Sequence, residues 1–286
     1  MIELIKNKIL KSKIFKLLIV SLAGLACSLL SLQLQAKTLV LVHGFLSGDM
    51  YWRSSGFSKP LQAAGWVDAG SYNFDPRGML IPRGINLKKD IFITVNLPSE
   101  ANLQIQEGIL LQYMQHLYMI RKEPITLIGH SAGGVVARLY VIDPAHIPVK
   151  ALITIASPHL GTPTANIAYL AEKTPLGMMA SIAGEDTLSN ARGLLSDLKE
   201  EAPGNFLHWM NHQPHPNIHY VSIIRKNDSI TKPAKFDYIV PPFSQNMNNV
   251  WALRGASGVA YSNESHALNG NDGLIVLNVL NSIYKK

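Results

Sequence analysis

Short apolar runs alternate with longer segments of helical periodicity along most of the chain. The apolar runs, most of them bounded by glycine, proline or polar residues, are 38–42, 91–97, 125–128, 151–155 and 218–224. Runs of this length with turn signals at their ends predict buried β-strands. Helical patterns are found over 57–64, 103–120, 133–141 and 274–283. Because strands that alternate with helices build a parallel sheet covered on both faces, the pattern predicts an α/β fold.

Two of the predicted helices have a marked apolar face. In the first, residues at three- and four-residue spacing are apolar, namely Ile105, Ile109, Tyr113, Leu117 and Ile120. In the last, the apolar positions include Leu274, Leu277, Val279 and Leu280. Because such a stripe has to be shielded from water, we expect both helices to pack on the sheet through these residues.

The pattern changes between residues 160 and 216. Apolar residues there lie among small and polar ones, without a convincing strand, and include Met178, Met179, Ile182, Leu188, Leu194, Leu195 and Leu198. This composition predicts a helical insertion. Two interpretations stay open: a lid or cap over a functional site, or additional helices packed at the edge of the sheet.

The first 36 residues have the pattern of a signal peptide. Five lysines precede an apolar run that extends from Leu17 to about Leu34, and the small residue Ala36 follows. Basic, apolar and small-residue regions in this order are typical of export signals. We therefore expect cleavage after Ala36, export to the periplasm or the medium, and one main domain formed by residues 37–286.

Two alternatives share this segment. The apolar run could remain uncleaved as a membrane anchor, or Cys27 could become a lipidated N-terminus. Both are less favoured, because Gly24 stands where a lipoprotein signal usually has leucine and a predicted strand begins at Thr38. Cys27 is the only cysteine, so an exported chain that begins at Lys37 has no disulfide and depends on packing for its stability.

Charge argues against a nucleic-acid partner. The formal net charge is +7, but the first 36 residues contribute five lysines and one glutamate, so residues 37–286 retain +3. Their basic residues form no stripe interleaved with aromatic residues, which is the pattern expected of a nucleic-acid-binding surface.

A candidate nucleophile follows the predicted strand 125–128. Residues 129–133 read Gly-His-Ser-Ala-Gly and fit the pattern G-x-S-x-G, with Ser131 at its centre. A strand before this pattern and a helix after it form a sharp turn that exposes the serine hydroxyl. Without that context the pattern would indicate only a surface serine. We therefore predict that Ser131 is a nucleophile.

A serine hydroxyl needs a base and an orienting carboxylate, which in hydrolases with this turn follow in the order Ser, acid, His. His266, the last histidine, lies in a polar loop before the final helix and is the predicted base. Asp228 and Asp237 both follow the strand 218–224. Asp237 is favoured because residues 237–244 resemble the acid loop of many lipases, in which Asp precedes a Val-Pro pair and a Ser. Asp272 follows the histidine and fits this order poorly.

Attack by a serine on a carbonyl carbon forms a tetrahedral oxyanion, and two backbone N–H groups are needed to bind it. One is expected from Ala132, directly after the nucleophile. The other is expected from Phe45, after the His43-Gly44 turn that ends the first strand. In this interpretation His43 is structural and fixes the loop.

Three blocks of this chain resemble those of bacterial triacylglycerol lipases, which are α/β-hydrolases. They are residues 39–45 (LVLVHGF), 129–134 (GHSAGG) and 156–163 (ASPHLGTP). The resemblance implies an α/β-hydrolase domain over 37–286, with a mostly parallel sheet, helices on both faces and a lid or cap within 160–216. It also implies hydrolysis of a lipid or small carboxylic ester through an acyl-enzyme, in transient contact with a lipid surface and without a cofactor.

The chain departs from the larger secreted lipases at the position where a calcium-binding aspartate follows the catalytic histidine by two residues. This chain has Leu268 there, so the resemblance does not extend to that calcium site, and the sequence leaves calcium dependence open. The same acyl-enzyme would serve a thioesterase or an acyltransferase, and a non-catalytic lipid-binding protein of the same fold is a further alternative. The sequence carries no signal for acyl-chain length or oligomeric state.

A group of histidines raises the question of a metal site. His208, His212, His215 and His219 lie close together in sequence, and the first two would share one helix face. No acidic ligand lies among them, and two prolines interrupt the segment. The sequence therefore predicts a polar connection rather than a zinc site.

Overall fold

The computed structural model describes residues 36–163, 191–226 and 237–285. Within these ranges the chain forms eight β-strands and eight α-helices. The strands are β1 (Thr38–Val42), β2 (Val67–Asp75), β3 (Gly78–Leu80), β4 (Ile91–Val95), β5 (Ile125–His130), β6 (Val149–Ile155), β7 (His219–Arg225) and β8 (Ser257–Ser262). The helices are α1 (Tyr51–Ser54), α2 (Ser58–Ala63), α3 (Leu103–Arg121), α4 (Ala132–Ile142), α5 (Arg192–Asp197), α6 (Phe206–Asn211), α7 (Pro242–Gln245) and α8 (Gly270–Tyr284).

All eight strands form one sheet in the order β3-β2-β4-β1-β5-β6-β7-β8. Only β3 runs antiparallel to its neighbour, and every other pair is parallel. The predicted mostly parallel sheet is confirmed. Because the strands are parallel, the loops that follow β1, β5, β7 and β8 all leave from the same edge, where ligands of open α/β sheets bind.

Helices cover both faces of this sheet, as predicted. Along β1, Val40 and Val42 pack into a core with α3 and α4, whereas Leu39 and Leu41 pack into a second core with α1, α2 and α8. Every residue of β1, β4 and β5 is buried. Continuous apolar strands are therefore stable here because each face meets its own layer of helices.

The buried face of α3 differs from the predicted one. Tyr113 and Leu117 are buried as expected, but Ile105 and Ile120 are exposed. The buried set also contains Leu103, Gln106, Glu107, Leu110, Met114 and Arg121. Polar side chains can lie on the inner face when they have partners, as Arg121 has in Glu123. The face predicted from apolar residues alone is therefore rotated about the helix axis relative to the face that is buried.

The final helix shows a similar shift. Leu274 is exposed, whereas Val276, Leu280 and Ile283 form the buried stripe of α8. The helix begins four residues earlier than predicted, at Gly270, because Asn269 and Asp272 form a reciprocal capping box at its first turn.

The described part of the predicted insertion, residues 191–216, contains α5 and α6. Leu194, Leu207 and Met210 are buried in the core that α3 and α4 also line. Asp197 accepts a hydrogen bond from the Leu103 N–H at the start of α3, at 2.9 Å. These two helices therefore pack against the core, as in the second interpretation of the insertion. Met178, Met179 and Ile182 lie outside the described ranges, so the lid interpretation stays a prediction.

The N-terminal segment also lies outside the described residues, and Lys37–Lys286 forms one compact unit. In the ranges that the structure describes, no helix combines the length and the apolar character that crossing a membrane requires.

Candidate active site

Ser131 occupies the turn between β5 and α4. Its backbone has φ 52° and ψ −130°, a conformation that costs an ordinary residue free energy. The turn is tight: a Cβ atom at Gly129 would overlap the backbone of Gly134, and one at Gly133 would overlap the carbonyl oxygen of His43. Small residues are therefore required around Ser131, as the motif predicts.

The structure brings together the three side chains predicted as nucleophile, base and acid. Ser131 Oγ and His266 Nε2 lie 2.9 Å apart, and His266 Nδ1 lies 3.0 Å from Asp237 Oδ2. All three side chains are largely buried. The Nδ1–H of His266 donates to the carboxylate, which leaves Nε2 with a lone pair directed at the serine hydroxyl. The competing acid, Asp228, lies outside the described residues.

Asp237 is held by hydrogen bonds on both carboxylate oxygens. Oδ1 accepts the N–H groups of Ile239 and Val240, at 2.9 and 3.0 Å, and Oδ2 also accepts Gln245 Nε2 at 3.1 Å. Burial raises the pKa of Asp237, but the charge of His266 and the hydrogen bonds from His266 and these backbone groups outweigh it and hold the pKa below its usual value. The carboxylate therefore stays ionised beside the imidazole.

The loop after β1 lies directly against the nucleophile. His43 Nε2 accepts the Leu97 N–H at 3.0 Å, and its Nδ1 donates to the Gly44 carbonyl oxygen at 3.0 Å. Burial lowers the pKa of His43, so the ring stays neutral in this arrangement. A Cβ atom at Gly44 would lie 2.8 Å from Ser131 Cβ. His43 thus fixes the loop, the structural role expected of it.

Two backbone donors border the serine. Ala132 begins α4, where the first N–H groups of a helix have no intrahelical acceptor. Phe45 follows Gly44, and its N–H donates to no acceptor within the described ranges. The two predicted oxyanion-binding residues therefore adjoin Ser131, Ala132 in the sequence and Phe45 through the contact of Gly44 with the serine.

The loop that carries His266 is held at three consecutive residues. His130 Nε2 donates to the His266 carbonyl oxygen at 2.9 Å, and the Tyr51 hydroxyl accepts the Leu268 N–H at 3.1 Å. Between them, the Ala267 carbonyl oxygen accepts Arg225 Nη2 at 3.3 Å. The base is therefore positioned by side chains from three distant parts of the chain.

Arg225 connects this loop to α8 and to the acid. Its guanidinium is fully buried and pairs with Asp272, with Nη2 and Oδ2 3.0 Å apart. The backbone N–H of Arg225 donates to Gln245 Oε1 at 2.8 Å, and Nε2 of the same Gln245 side chain donates to Asp237. Asp272, which fitted the acid role poorly, thus has a structural one. Sequence reasoning did not find Tyr51, Arg225 or Gln245, since no motif marks them.

The block at 156–163 packs on the acid loop. The His159 N–H donates to the Ser244 carbonyl oxygen at 3.0 Å, and the Leu160 N–H donates to Ser244 Oγ at 3.1 Å. Thr162 Oγ1 donates to the Ile239 carbonyl oxygen. The third lipase-like block therefore fixes the loop that holds Asp237.

A group of side chains that could bind a metal ion lies outside the Ser131 site. Among the described residues, Glu201, His208 and His212 place one potential ligand atom each within 4.8 Å of the others. No acidic residue lies among these histidines in the sequence, but Glu201 lies seven residues before His208, and the loop returns its Oε1 to within 3.5 Å of His208 Nδ1.

One family model matches the chain. It is described as a PGAP1-like alpha/beta domain and covers residues 103–173, which include α3, the Ser131 turn and the block at 156–163. Among curated protein sequences, none matches the chain significantly.

Three solved structures illustrate the likeness of fold. The product of gene lin2722 from Listeria innocua superposes with a TM-score of 0.60 at 13% identity, over 86% of this chain and 94% of that one. The mature lipase BlEst2 from Bacillus licheniformis gives 0.55 at 16% identity, over 87% and 92%. A structure titled for the metagenome-derived lipolytic enzymes LipS and LipT gives 0.51 at 14% identity, over 88% and 96%.

These likenesses, with the sheet order and the strand–serine–helix turn, show that the chain has the α/β-hydrolase fold. The predicted fold class is confirmed, and the predicted resemblance to bacterial lipases agrees with these neighbours.

Proposed function

We propose that this protein is a serine hydrolase of carboxylic esters, a lipase or esterase, with Ser131 as nucleophile, His266 as base and Asp237 as orienting acid. The observation that carries the proposal is the hydrogen-bonded chain from Asp237 through His266 to Ser131 Oγ. The N–H groups of Phe45 and Ala132, on residues that adjoin Ser131, support the same chemistry, because a tetrahedral oxyanion needs two such donors.

Acylation begins when Ser131 Oγ attacks the ester carbonyl carbon and His266 Nε2 takes the hydroxyl proton. The carbonyl oxygen becomes an oxyanion and accepts the N–H groups of Phe45 and Ala132. As the intermediate collapses, the C–O bond to the alcohol breaks, and His266 returns its proton to the leaving alkoxide. The acyl group remains on Ser131.

Deacylation repeats these steps with water. His266 removes a proton from a water molecule whose oxygen attacks the acyl carbon, and the same two N–H groups bind the second oxyanion. Cleavage of the bond to Oγ releases the carboxylic acid, and the proton on His266 restores the Ser131 hydroxyl. Ionised Asp237 stabilises the imidazolium in both halves. Protein groups and water supply every step, so the proposal includes no cofactor.

We further propose a lipid or small ester as substrate, with the protein in transient contact with a lipid surface. The lipase-like sequence blocks support this class, and so does the likeness of fold to BlEst2, a lipase, and to the structure titled for the lipolytic enzymes LipS and LipT. The signal-peptide pattern at residues 1–36 supports export. An N-terminus at Lys37 in protein recovered from outside the cytoplasm would match that part of the proposal, and an intact Met1 in a membrane fraction would contradict it.

A fluorophosphonate probe tests the central claim, since it forms a covalent bond with an activated serine. The protein should be labelled at Ser131 and should hydrolyse p-nitrophenyl esters. Ser131→Ala should abolish labelling and lower kcat by about 10⁴- to 10⁶-fold. Ser282→Ala, at an exposed serine of α8, is the matched control and should behave as the unmodified protein. A folded, unlabelled and inactive parent protein would instead indicate a non-catalytic lipid-binding role.

A further inference from the structure

A cluster of three side chains outside the candidate active site has the composition of a metal site. Glu201 lies in the loop before α6, His208 lies on α6, and His212 caps its C-terminal end. His208 Nδ1 and Glu201 Oε1 are 3.5 Å apart. Two ligands at zinc-typical bond lengths of about 2.1 Å in a tetrahedral site are separated by about 3.4 Å, so this pair is already spaced to share one ion.

His212 is fixed in the tautomer that a ligand needs. Its Nδ1 lies 2.7 Å from the His208 carbonyl oxygen, which can only accept, so Nδ1 carries the proton. Nε2 is therefore left with its lone pair. A ligating histidine usually donates its other ring N–H to a carbonyl or carboxylate in this way. The ring also stacks on Trp251, with centroids 5.6 Å apart, and this contact restricts its orientation.

Glu201 is oriented by a buried network behind the cluster. Its Oε2 accepts Asn211 Nδ2 at 2.9 Å, which turns Oε1 towards His208. Asn211 is itself fully buried, and its Oδ1 accepts Arg138 Nη2 at 2.6 Å. The carboxylate is thus held by partners that also stabilise bound ligands in metal proteins.

We propose that Glu201, His208 and His212 bind one divalent transition-metal ion, with Zn²⁺ the best match. Two imidazoles and one carboxylate are zinc ligands, whereas Ca²⁺ and Mg²⁺ prefer sites made of oxygen atoms. The three ligand atoms lie within 4.8 Å of one another, so they have to close by no more than about 1.4 Å to reach the roughly 3.4 Å spacing of two ligands in a tetrahedral site. Water would fill the fourth position.

The location indicates a structural role for the ion. The Glu201 N–H donates to the Leu160 carbonyl oxygen at 2.9 Å, and Asn211 Nδ2 also donates to the His159 carbonyl oxygen at 3.1 Å. A metal that joins Glu201 to the end of α6 would therefore stabilise the segment that packs on the acid loop. Because an ion that binds only the folded chain shifts the unfolding equilibrium, Zn²⁺ should raise Tm.

The test uses the protein purified without a polyhistidine tag, stripped with EDTA and dialysed against Zn²⁺. One Zn²⁺ per chain should be retained, Tm should rise, and Co²⁺ should give the visible absorption of a tetrahedral complex. His208→Gln, His212→Gln and Glu201→Gln should each weaken zinc affinity about tenfold or more. His219→Gln, at an exposed histidine outside the cluster, is the matched control and should bind as the parent does.

Two results would overturn the site. One is zinc binding by the parent no tighter than that of the His208→Gln, His212→Gln double variant, which would leave only a polar contact between Glu201 and His208. The other is an equal loss of zinc in His219→Gln, which would indicate non-specific binding by surface histidines. Neither readout depends on ester hydrolysis.

Discussion

His130 donates a hydrogen bond from Nε2 to the backbone carbonyl oxygen of His266, at 2.9 Å. The residue before the nucleophile thus holds the loop that carries the base. Burial, followed by the charge of His266, lowers the pKa of His130 well below its usual value. The ring therefore stays neutral, so in the proposed reaction no second positive charge opposes the transfer of a proton to His266.

His130→Phe tests this contact, because it keeps an aromatic ring and removes the hydrogen bond. We expect kcat to fall about 10- to 100-fold with little change in KM, since a displaced base misaligns proton transfer without altering the acyl pocket. The rate of fluorophosphonate labelling should fall in parallel. Tyr51→Phe, which removes the hydroxyl at Leu268, serves as a comparison one residue further along the loop. A folded His130→Phe protein with parental kcat would show that the bond has no positioning role.

Gly44→Ala tests the close approach of the loop after β1. The added Cβ would lie 2.8 Å from Ser131 Cβ and 3.0 Å from the His130 carbonyl oxygen, so the loop with Phe45 has to move. Loss of one oxyanion donor typically costs about 10²- to 10³-fold in kcat, and we expect a loss of this size. Gly108→Ala on α3 is the matched control, since its Cβ would meet nothing within 4 Å. Equal activity of the two variants would contradict the assignment.

Asp237→Asn tests the acid. An amide at this position can donate to His266 and favour the wrong tautomer, so we expect kcat to fall by about 10⁴-fold with the fold retained. Asp228→Asn is the matched comparison, because Asp228 is the other aspartate that could follow the nucleophile as the acid. A large loss in Asp228→Asn, with an unaffected Asp237→Asn, would reverse the assignment.

The central residues could be predicted because each has a local signal. Ser131 lies within a motif between a strand and a helix, His266 is the last histidine, and Asp237 opens a recognisable loop. Arg225 has no such signal, since its partner Asp272 lies 47 residues further along and meets it only through the packing of α8. Contacts of this kind depend on the tertiary structure.

The outer strands were missed for a related reason. Of the nine residues of β2 only two are buried, and of the six of β8 only one. Strands near a sheet edge meet water along much of their length and lack a continuous apolar run. The inner strands, buried on both faces, were found by that run.

Glu107 predicts a pH dependence of stability. Burial, with a smaller effect of Asp143, raises its pKa from 4.5 to about 7, and its buried Oε1 has no hydrogen-bond partner in the described part of the chain. The folded state then binds more protons than the unfolded state between these values. Stability due to this group is therefore present below pH 4.5 and is lost as pH rises through about 7.

Glu107→Gln removes this titration. In urea unfolding at about pH 8 we expect the variant to be more stable than the parent by about 1–3 kcal/mol, with most of that difference gone near the pKa of an unfolded glutamate. A difference in the free energy of unfolding that is the same at both pH values would show that Glu107 is not titrating in the folded protein.

Acyl-chain length distinguishes a lipase from a short-chain esterase. Each buried CH₂ contributes about 0.8 kcal/mol, or about fourfold in kcat/KM when it is buried in the transition state. If an apolar surface receives the acyl chain, kcat/KM for p-nitrophenyl esters should hold or rise from butyrate to octanoate. A small pocket should give the opposite trend, because longer chains would remain in water or clash.

Met178 and Met179, which the sequence places in the predicted lid, give this test its variants. If they line the path of a lipid chain, replacing each with Gln should lower kcat/KM for octanoate more than for acetate, since a polar side chain removes apolar contact only where the longer chain lies. Met119→Gln, at a methionine 67% exposed on α3, is the matched control and should change neither ester. Activity confined to acetate, with no effect at Met178 or Met179, would refute the lipase assignment and leave a short-chain esterase with the same Ser131 chemistry.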